Sequence, residues 1–218
     1  MASPLNNATV IIHTKIFRDT TYSNGQGIFE AISPFNEIIG IDVLAKGHLF
    51  KTQMLRSDQK STKNISINIE QALPGKSIDL NKFFFVGDRA IILDEFTPEL
   101  KNLETSLKLS PEVCIEIIGH VNEPNRPPVD STSFEFNLSV ARSKLIYDIM
   151  AKKGVSHLRM CYSGKGNWDM LYPQARSAEE MKKNRRVEIV VRDCEFVQSF
   201  QNASIDLRFD FYSRPKPN

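Results

Sequence analysis

Ser139 and Arg142, three residues apart in Leu138-Ser139-Val140-Ala141-Arg142, are of types and at a spacing that suit anion chemistry. Ser139 has the side chain of a helix N-cap, which predicts a helix beginning there with Arg142 in its first turn. A cation at that end opposes the helix dipole, while the free N–H groups beside it attract anions. The guanidinium fork then makes a receptor for a carboxylate or phosphate through two parallel bonds. The plainer reading is a solvated or salt-bridged surface arginine. A second basic pair stands in Asn184-Arg185-Arg186, ahead of the alternating apolar run Val187, Ile189 and Val191. If that run is a strand antiparallel to the one over 113–118, Arg185 and Arg186 approach Gly119-His120-Val121-Asn122. Asn122, Arg142 and Arg185 then line one shallow cleft, and Asn184, next to Arg185 in sequence, is counted with them as a candidate binding residue. An exposed basic strand entry is the plainer reading of the pair.

Other chemistry is not signalled. The four histidines, at 13, 48, 120 and 157, show no metal-ligand spacing, and HExxH, nucleophile-elbow, phosphate-loop and Rossmann patterns do not occur. Ser163-Gly164-Lys165-Gly166 lacks the first glycine and the final hydroxyl of a phosphate loop and reads as a turn. Cys114, Cys161 and Cys194 form no CxxC pair, which argues against a zinc ribbon. These signals predict a protein that is not an enzyme and needs no cofactor. With 28 basic and 26 acidic residues the net charge is +2, so no global field favours nucleic acid. No apolar run approaches the ~18 residues of a membrane span. The first residues have no signal-peptide pattern.

The elements that must position these groups fall into two halves. Residues 8–72 read as β, with strands over Val10-Ile11-Ile12, Lys15-Ile16-Phe17, 28–32, 38–44 and the strict alternation Ile65, Ile67, Ile69. This predicts a small antiparallel β-sandwich over residues 1–73. After Leu73-Pro74-Gly75-Lys76-Ser77 the pattern changes to an α/β unit. Phe83-Phe84-Phe85 reads as its first strand, and Thr97-Pro98-Glu99 as the start of a helix carrying Leu100, Leu103 and Leu107. A strand over 113–118, a proline-rich loop from Asn122 to Asp130, and a helix with Leu138, Ala141, Leu145 and Ile149 ending at Gly154 follow. Two strands, at 158–162 and 187–191, complete a βαβαββ order. The fold class expected is α+β, with helices on one face of the second sheet.

Gly119-His120-Val121-Asn122, Leu138-Ser139-Val140-Ala141-Arg142-Ser143 and Asn184-Arg185-Arg186-Val187-Glu188-Ile189 resemble the OmpA-like C-terminal family, the peptidoglycan-associated fold. Gly154-Val155, Arg159, Gly164 and Gly166 fall in step, so the likeness covers residues 78–194. The resemblance implies a cleft that holds the diaminopimelate-containing peptide stem of peptidoglycan. Arg142 stands where the family's carboxylate-binding arginine is expected, and Arg185 where its supporting arginine is. The family's amine-binding aspartate is Asn122 here, an asparagine before the LS motif is Glu135, and the acid after the first strand is Val86. The long loop offers Glu123 and Asp130 as substitute acids.

Asn24-Gly25-Gln26-Gly27-Ile28-Phe29 and 44–49 resemble a carboxypeptidase-regulatory-like β-sandwich. Together the likenesses imply a periplasmic, outer-membrane-associated module, a piece of a longer envelope protein like those of gliding and type IX secretion machinery. Its expected partners are peptidoglycan and envelope proteins. The rival expectation is a scaffold of a secretion or motility machine that has lost peptidoglycan binding. Residues 195–218 read as a C-terminal extension. For the cysteines two readings stand. Either all are inert buried thiols, or Cys114 and Cys194 meet at the ends of antiparallel strands and close a disulfide in an oxidising compartment, leaving Cys161 free.

Overall fold

A computed structural model describes residues 3–57, 64–80, 90 and 98–203. The expected strand at Phe83-Phe84-Phe85, the Thr97 cap and Val86 lie outside these residues. The chain is α+β and divides into two compact units, Met1–Ala72 with Leu100–Glu112, and Leu73–Glu99 with Val113–Asn218.

In the first unit β1 (Thr9–His13), β2 (Arg18–Tyr22), β3 (Glu37–Leu44) and β4 (Lys51–Ser57) form one antiparallel sheet in the order β2-β1-β3-β4. Alternation sends Val10, Ile12, Ile39, Ile41 and Val43 to one face, where they join Ala8 and Ala45 in a core. The covering layer is not a second sheet among the described residues. Ile65, Ile67 and Ile69 pack on the core with alternating burial, as their spacing predicts, but their backbone joins no strand. The expected strand at Lys15-Ile16-Phe17 is instead the β1–β2 turn, because the Thr14 hydroxyl accepts the Ile16 and Phe17 N–H groups (3.3 and 3.2 Å). Residues 28–32 are likewise irregular. Asn24 Oδ1 accepts from Gln26 and Ile28 N–H (2.9 and 3.0 Å), and Ile32 is 84% exposed. On the sheet's other face Asp42 is fully buried, taking the Thr52 hydroxyl at 2.6 Å and lying 3.1 Å from His13 Nε2. The helix expected in the α/β unit, α1 (Pro98–Leu109), buries Leu100, Leu103 and Leu107 as predicted. Its residues from Leu100 onward gather with the first unit, where Ser110 Oγ accepts the Gly47 N–H at 2.8 Å.

The second unit contains β5 (Ser77–Leu80), β6 (Cys114–Gly119), α2 (Phe134–Lys152), β7 (Met160–Gly164), α3 (Ala178–Asn184), β8 (Val187–Arg192) and α4 (Cys194–Ala203). Its sheet runs β5-β8-β6-β7; β6 and β7 are parallel, joined by α2, and the other pairs are antiparallel. Ile115, Ile117, Val187, Ile189 and Met160 are buried, as are Ile146, Ile149 and Met150 of α2. Gly154, at φ +87°, ends that helix, where only glycine adopts the left-handed turn readily. α3 and α4 were not expected. α3 opens on a capping box, Ser177 with Glu180. α4 occupies the start of the expected extension and buries Val197 against Cys114 and Cys161. Cys114 and Cys194 are joined in a disulfide with Cα atoms 5.2 Å apart, and Cys161 is a buried free thiol.

Candidate functional site

Of the predicted cleft residues, Asn122, Asn184 and Arg185 lie beside the C-terminal end of β6 and the approach to β8, and Arg142 lies on the buried stripe of α2 one turn beyond Ser139. The antiparallel adjacency expected of β6 and β8 is present, with Gly119 opposite Val187 and the His120 N–H bonded to Arg186 O at 3.0 Å. Gly119 lets α2 close on this edge. A Cβ there would stand 1.9 Å from the Ser139 carbonyl oxygen, and one on Gly164 would stand 2.3 Å from Ser139 Oγ. Ser139 Oγ in turn accepts the Gly166 N–H at 3.0 Å, and Gly166 O accepts the Val121 N–H at 2.9 Å. The three sequence motifs and the 164–166 turn are thus stitched to one another.

Ser139 is not the helix cap. The cap is Ser133, whose Oγ accepts the Phe136 N–H at 3.2 Å, so α2 begins earlier and Arg142 is its ninth residue, counted from Phe134. Arg142 therefore lies in the interior of the helix and not in its first turn. The upstream turn explains the shift, because Asp130 Oδ1 takes both the N–H and the hydroxyl of Thr132 (2.8 and 2.6 Å) and brings Ser133 to the cap. Those bonds also pull the Asp130 carboxyl below its ordinary range. The buried stripe of α2 includes Ser139, Arg142 and Ser143, while Ala141 and Leu145 are only half-buried. Arg142 is 2% exposed.

Asn122 and Asn184 are directly bonded. Asn184 is fully buried, and its Oδ1 accepts the Tyr172 N–H at 2.9 Å while its Nδ2 donates to Tyr172 O at 2.8 Å and to Asn122 Oδ1 at 2.9 Å. Arg185 is exposed and caps the C-terminus of α3 through its backbone. Of the two acids that the loop offers as substitutes, Glu123 pairs with Arg126 at 3.1 Å, and Asp130 accepts from Thr132 as above.

Two further supports of this edge were not expected from the sequence. Asn167, 4% exposed, holds the proline-rich loop by accepting the Val129 N–H (2.8 Å) and donating to Pro127 O (3.0 Å), and Trp168 Nε1 donates to Val129 O at 2.7 Å. Beneath the motif edge lies a charge cluster. Arg186, 5% exposed, bonds Asp79 Oδ1 at 3.0 Å, and buried His120 places Nε2 3.3 Å from Glu188 Oε2. The His120 ring is the main influence on Glu188, lowering its carboxyl to about 2 against the opposing cost of burial; Ser77 lowers it further. A second pair, Arg192 with Glu116 (2.8 Å), lies farther along the same strands, with Ser163 Oγ on Glu116 at 2.6 Å. Alternation could have revealed these groups, since Arg186, Glu188 and Arg192 share the face opposite Val187, Ile189 and Val191. No group of three or more metal-ligating side chains occurs among the described residues.

No family model and no curated protein matches the chain. Similar solved structures include the periplasmic domain of Helicobacter pylori MotB, 21% identical, with 64% of this chain and 92% of that one covered at a TM-score of 0.46. The peptidoglycan-associated lipoprotein of Burkholderia pseudomallei is 19% identical, over 50% of this chain and 88% of that one, at 0.43. The cell wall anchor of the T6SS from Pseudomonas aeruginosa is 28% identical, over 54% and 79%, at 0.41.

Proposed function

We propose that this chain is a non-catalytic periplasmic module that binds the diaminopimelate peptide stem of peptidoglycan and so ties an outer-membrane-associated assembly to the cell wall. The observation that carries the reading is the convergence of the three OmpA-like motif segments on one edge, sealed by the Asn122–Asn184, Gly166–Ser139 and His120–Arg186 bonds. In this reading Arg142 takes the ligand carboxylate, Asn122 meets the opposite end of the same amino acid, Asn184 holds Asn122 in place, and exposed Arg185 adds charge at the rim. The described residues contain no helix long and apolar enough to cross a membrane.

The near-complete burial of Arg142 favours a second reading, a protein-interaction scaffold of an envelope machine in which this guanidinium is structural. Cosedimentation with diaminopimelate-type sacculi separates the two. The anchoring reading expects the wild-type chain to pellet with sacculi, Arg185→Ala to pellet several-fold less, and Arg142→Ala to stay in solution while Trp168 fluorescence reports an intact second unit. Loss of a charge-assisted contact of this kind costs about 1.5–3 kcal/mol, enough to erase weak binding. A wild-type chain that does not pellet overturns the anchoring reading.

A further inference from the structure

The bonds around Asn184 decide which way the Asn122 amide faces. A backbone N–H only donates and a backbone carbonyl only accepts, so the Tyr172 N–H fixes Asn184 Oδ1 and the Tyr172 carbonyl fixes Asn184 Nδ2. The second hydrogen of that Nδ2 then points at Asn122, 2.9 Å away, and the atom it meets must be an acceptor. Asn122 therefore has its Oδ1 committed to Asn184. Its Nδ2, with two N–H donors on a half-buried side chain, makes no hydrogen bond within the described residues. Turning the amide over would set two donors against each other and leave a buried Asn184 hydrogen without a partner.

From this network, and resting on the cell-wall reading above, we infer that Asn122 selects a hydrogen-bond acceptor in its ligand, and that the stem it binds carries its side-chain amine acylated rather than free. A free ammonium has donors only and would face Asn122 donor to donor. An amide formed on that amine, as in a cross-link, replaces the ammonium charge with a carbonyl oxygen that the Asn122 Nδ2 can reach. Neither nearby acid is bonded to Asn122: Glu123 is paired with Arg126, and Asp130 keeps its charge in its own turn with Thr132. An aspartate at 122 would reverse the preference. One carboxylate oxygen would keep the Asn184 bond and the other would face the ligand as an acceptor.

Calorimetric titration with two synthetic stem tripeptides, one ending in diaminopimelate with a free side-chain amine and one with that amine acetylated, tests the inference on the full chain. Wild type is expected to bind the acetylated peptide about threefold to tenfold more tightly, the scale of one net hydrogen bond. Asn122→Asp, which retains the Asn184 bond, is expected to prefer the free amine, with a preference that weakens as salt is added. Wild-type preference for the free amine, or none between the two, overturns the acceptor assignment and leaves the anchoring reading standing. Failure of wild type to bind either peptide overturns both.

Discussion

The two units use the same strand-forming residues to different effect. In the second, the runs over 113–118 and 187–191 lie in the sheet, the run expected over 158–162 joins it from Met160 onward while Leu158 sits in a 3-10 turn, and the polar face is closed by ion pairs such as Arg192–Glu116 and Arg186–Asp79. In the first, Ile65, Ile67 and Ile69 alternate as strictly as Val187, Ile189 and Val191, yet they rest on the core without a ladder, and Ile16 and Ile32 are 91% and 84% exposed. Period-two spacing therefore predicts which side chains turn inward. It does not predict that a partner strand will take up the backbone. Where Thr14 and Asn24 offer oxygens to nearby N–H groups, the local bond forms instead of a ladder.

The largest effect that sharpens this contrast is steric. Gly119→Val drives a side chain into the Ser139 carbonyl and should cost the second unit about 3 kcal/mol or more. In the first unit Gly47, at φ +70° with nothing within 4 Å of an added Cβ, should lose only about 1 kcal/mol as Gly47→Ala. Urea unfolding followed by Trp168, the only tryptophan, reads the second unit, and far-ultraviolet dichroism reads both. Similar losses for the two variants would break the comparison.

Next in size is the disulfide. All three cysteines lie in the second unit, so Cys194→Ser should lower its stability by about 2–4 kcal/mol and leave the first unit unchanged. Unfolded, unreduced protein should titrate one thiol; a count of three would remove the bridge. The thiol found, Cys161, should resist alkylation in the native state, because burial, and secondarily the Glu116 charge, push it up to about 12.

The smallest effect is acid sensitivity. Glu188 titrates near 2 in the folded unit against an ordinary 4.5, so its contribution is complete above about pH 4.5 and disappears as pH falls toward 2. Glu188→Gln should flatten the acid limb of the Trp168 transition, by about 1–2 kcal/mol. An unchanged limb would mean that the His120–Glu188 contact does not couple protonation to folding.

Much of the second unit was legible because its strands carry β-branched alternation and its glycines sit where backbone approaches backbone. Gly154 marks the end of α2 through its left-handed turn, and the Cys114–Cys194 pairing follows from the register of β6 and β8. The start of α2 was misplaced because Ser133 and Ser139 are equally good caps in isolation. The deciding group is Asp130, whose turn presents Ser133. The capping box Ser177–Glu180 was present in the sequence as Ser-x-x-Glu, a signal for α3 that went unread because no apolar stripe follows it. The bonding pattern around the candidate residues was not legible. That Asn184 braces Asn122 depends on Tyr172, which no spacing rule connects to either.

The disulfide also has a mechanical consequence. β8 lies between β5 and β6, and Cys194 follows it directly. Without the bridge, tension on the chain beyond Cys194 would peel β8 from its neighbours one hydrogen bond at a time. With it, the load passes through the sulfur atoms to Cys114 at the start of β6, and the chain between the two cysteines is shielded from the pull.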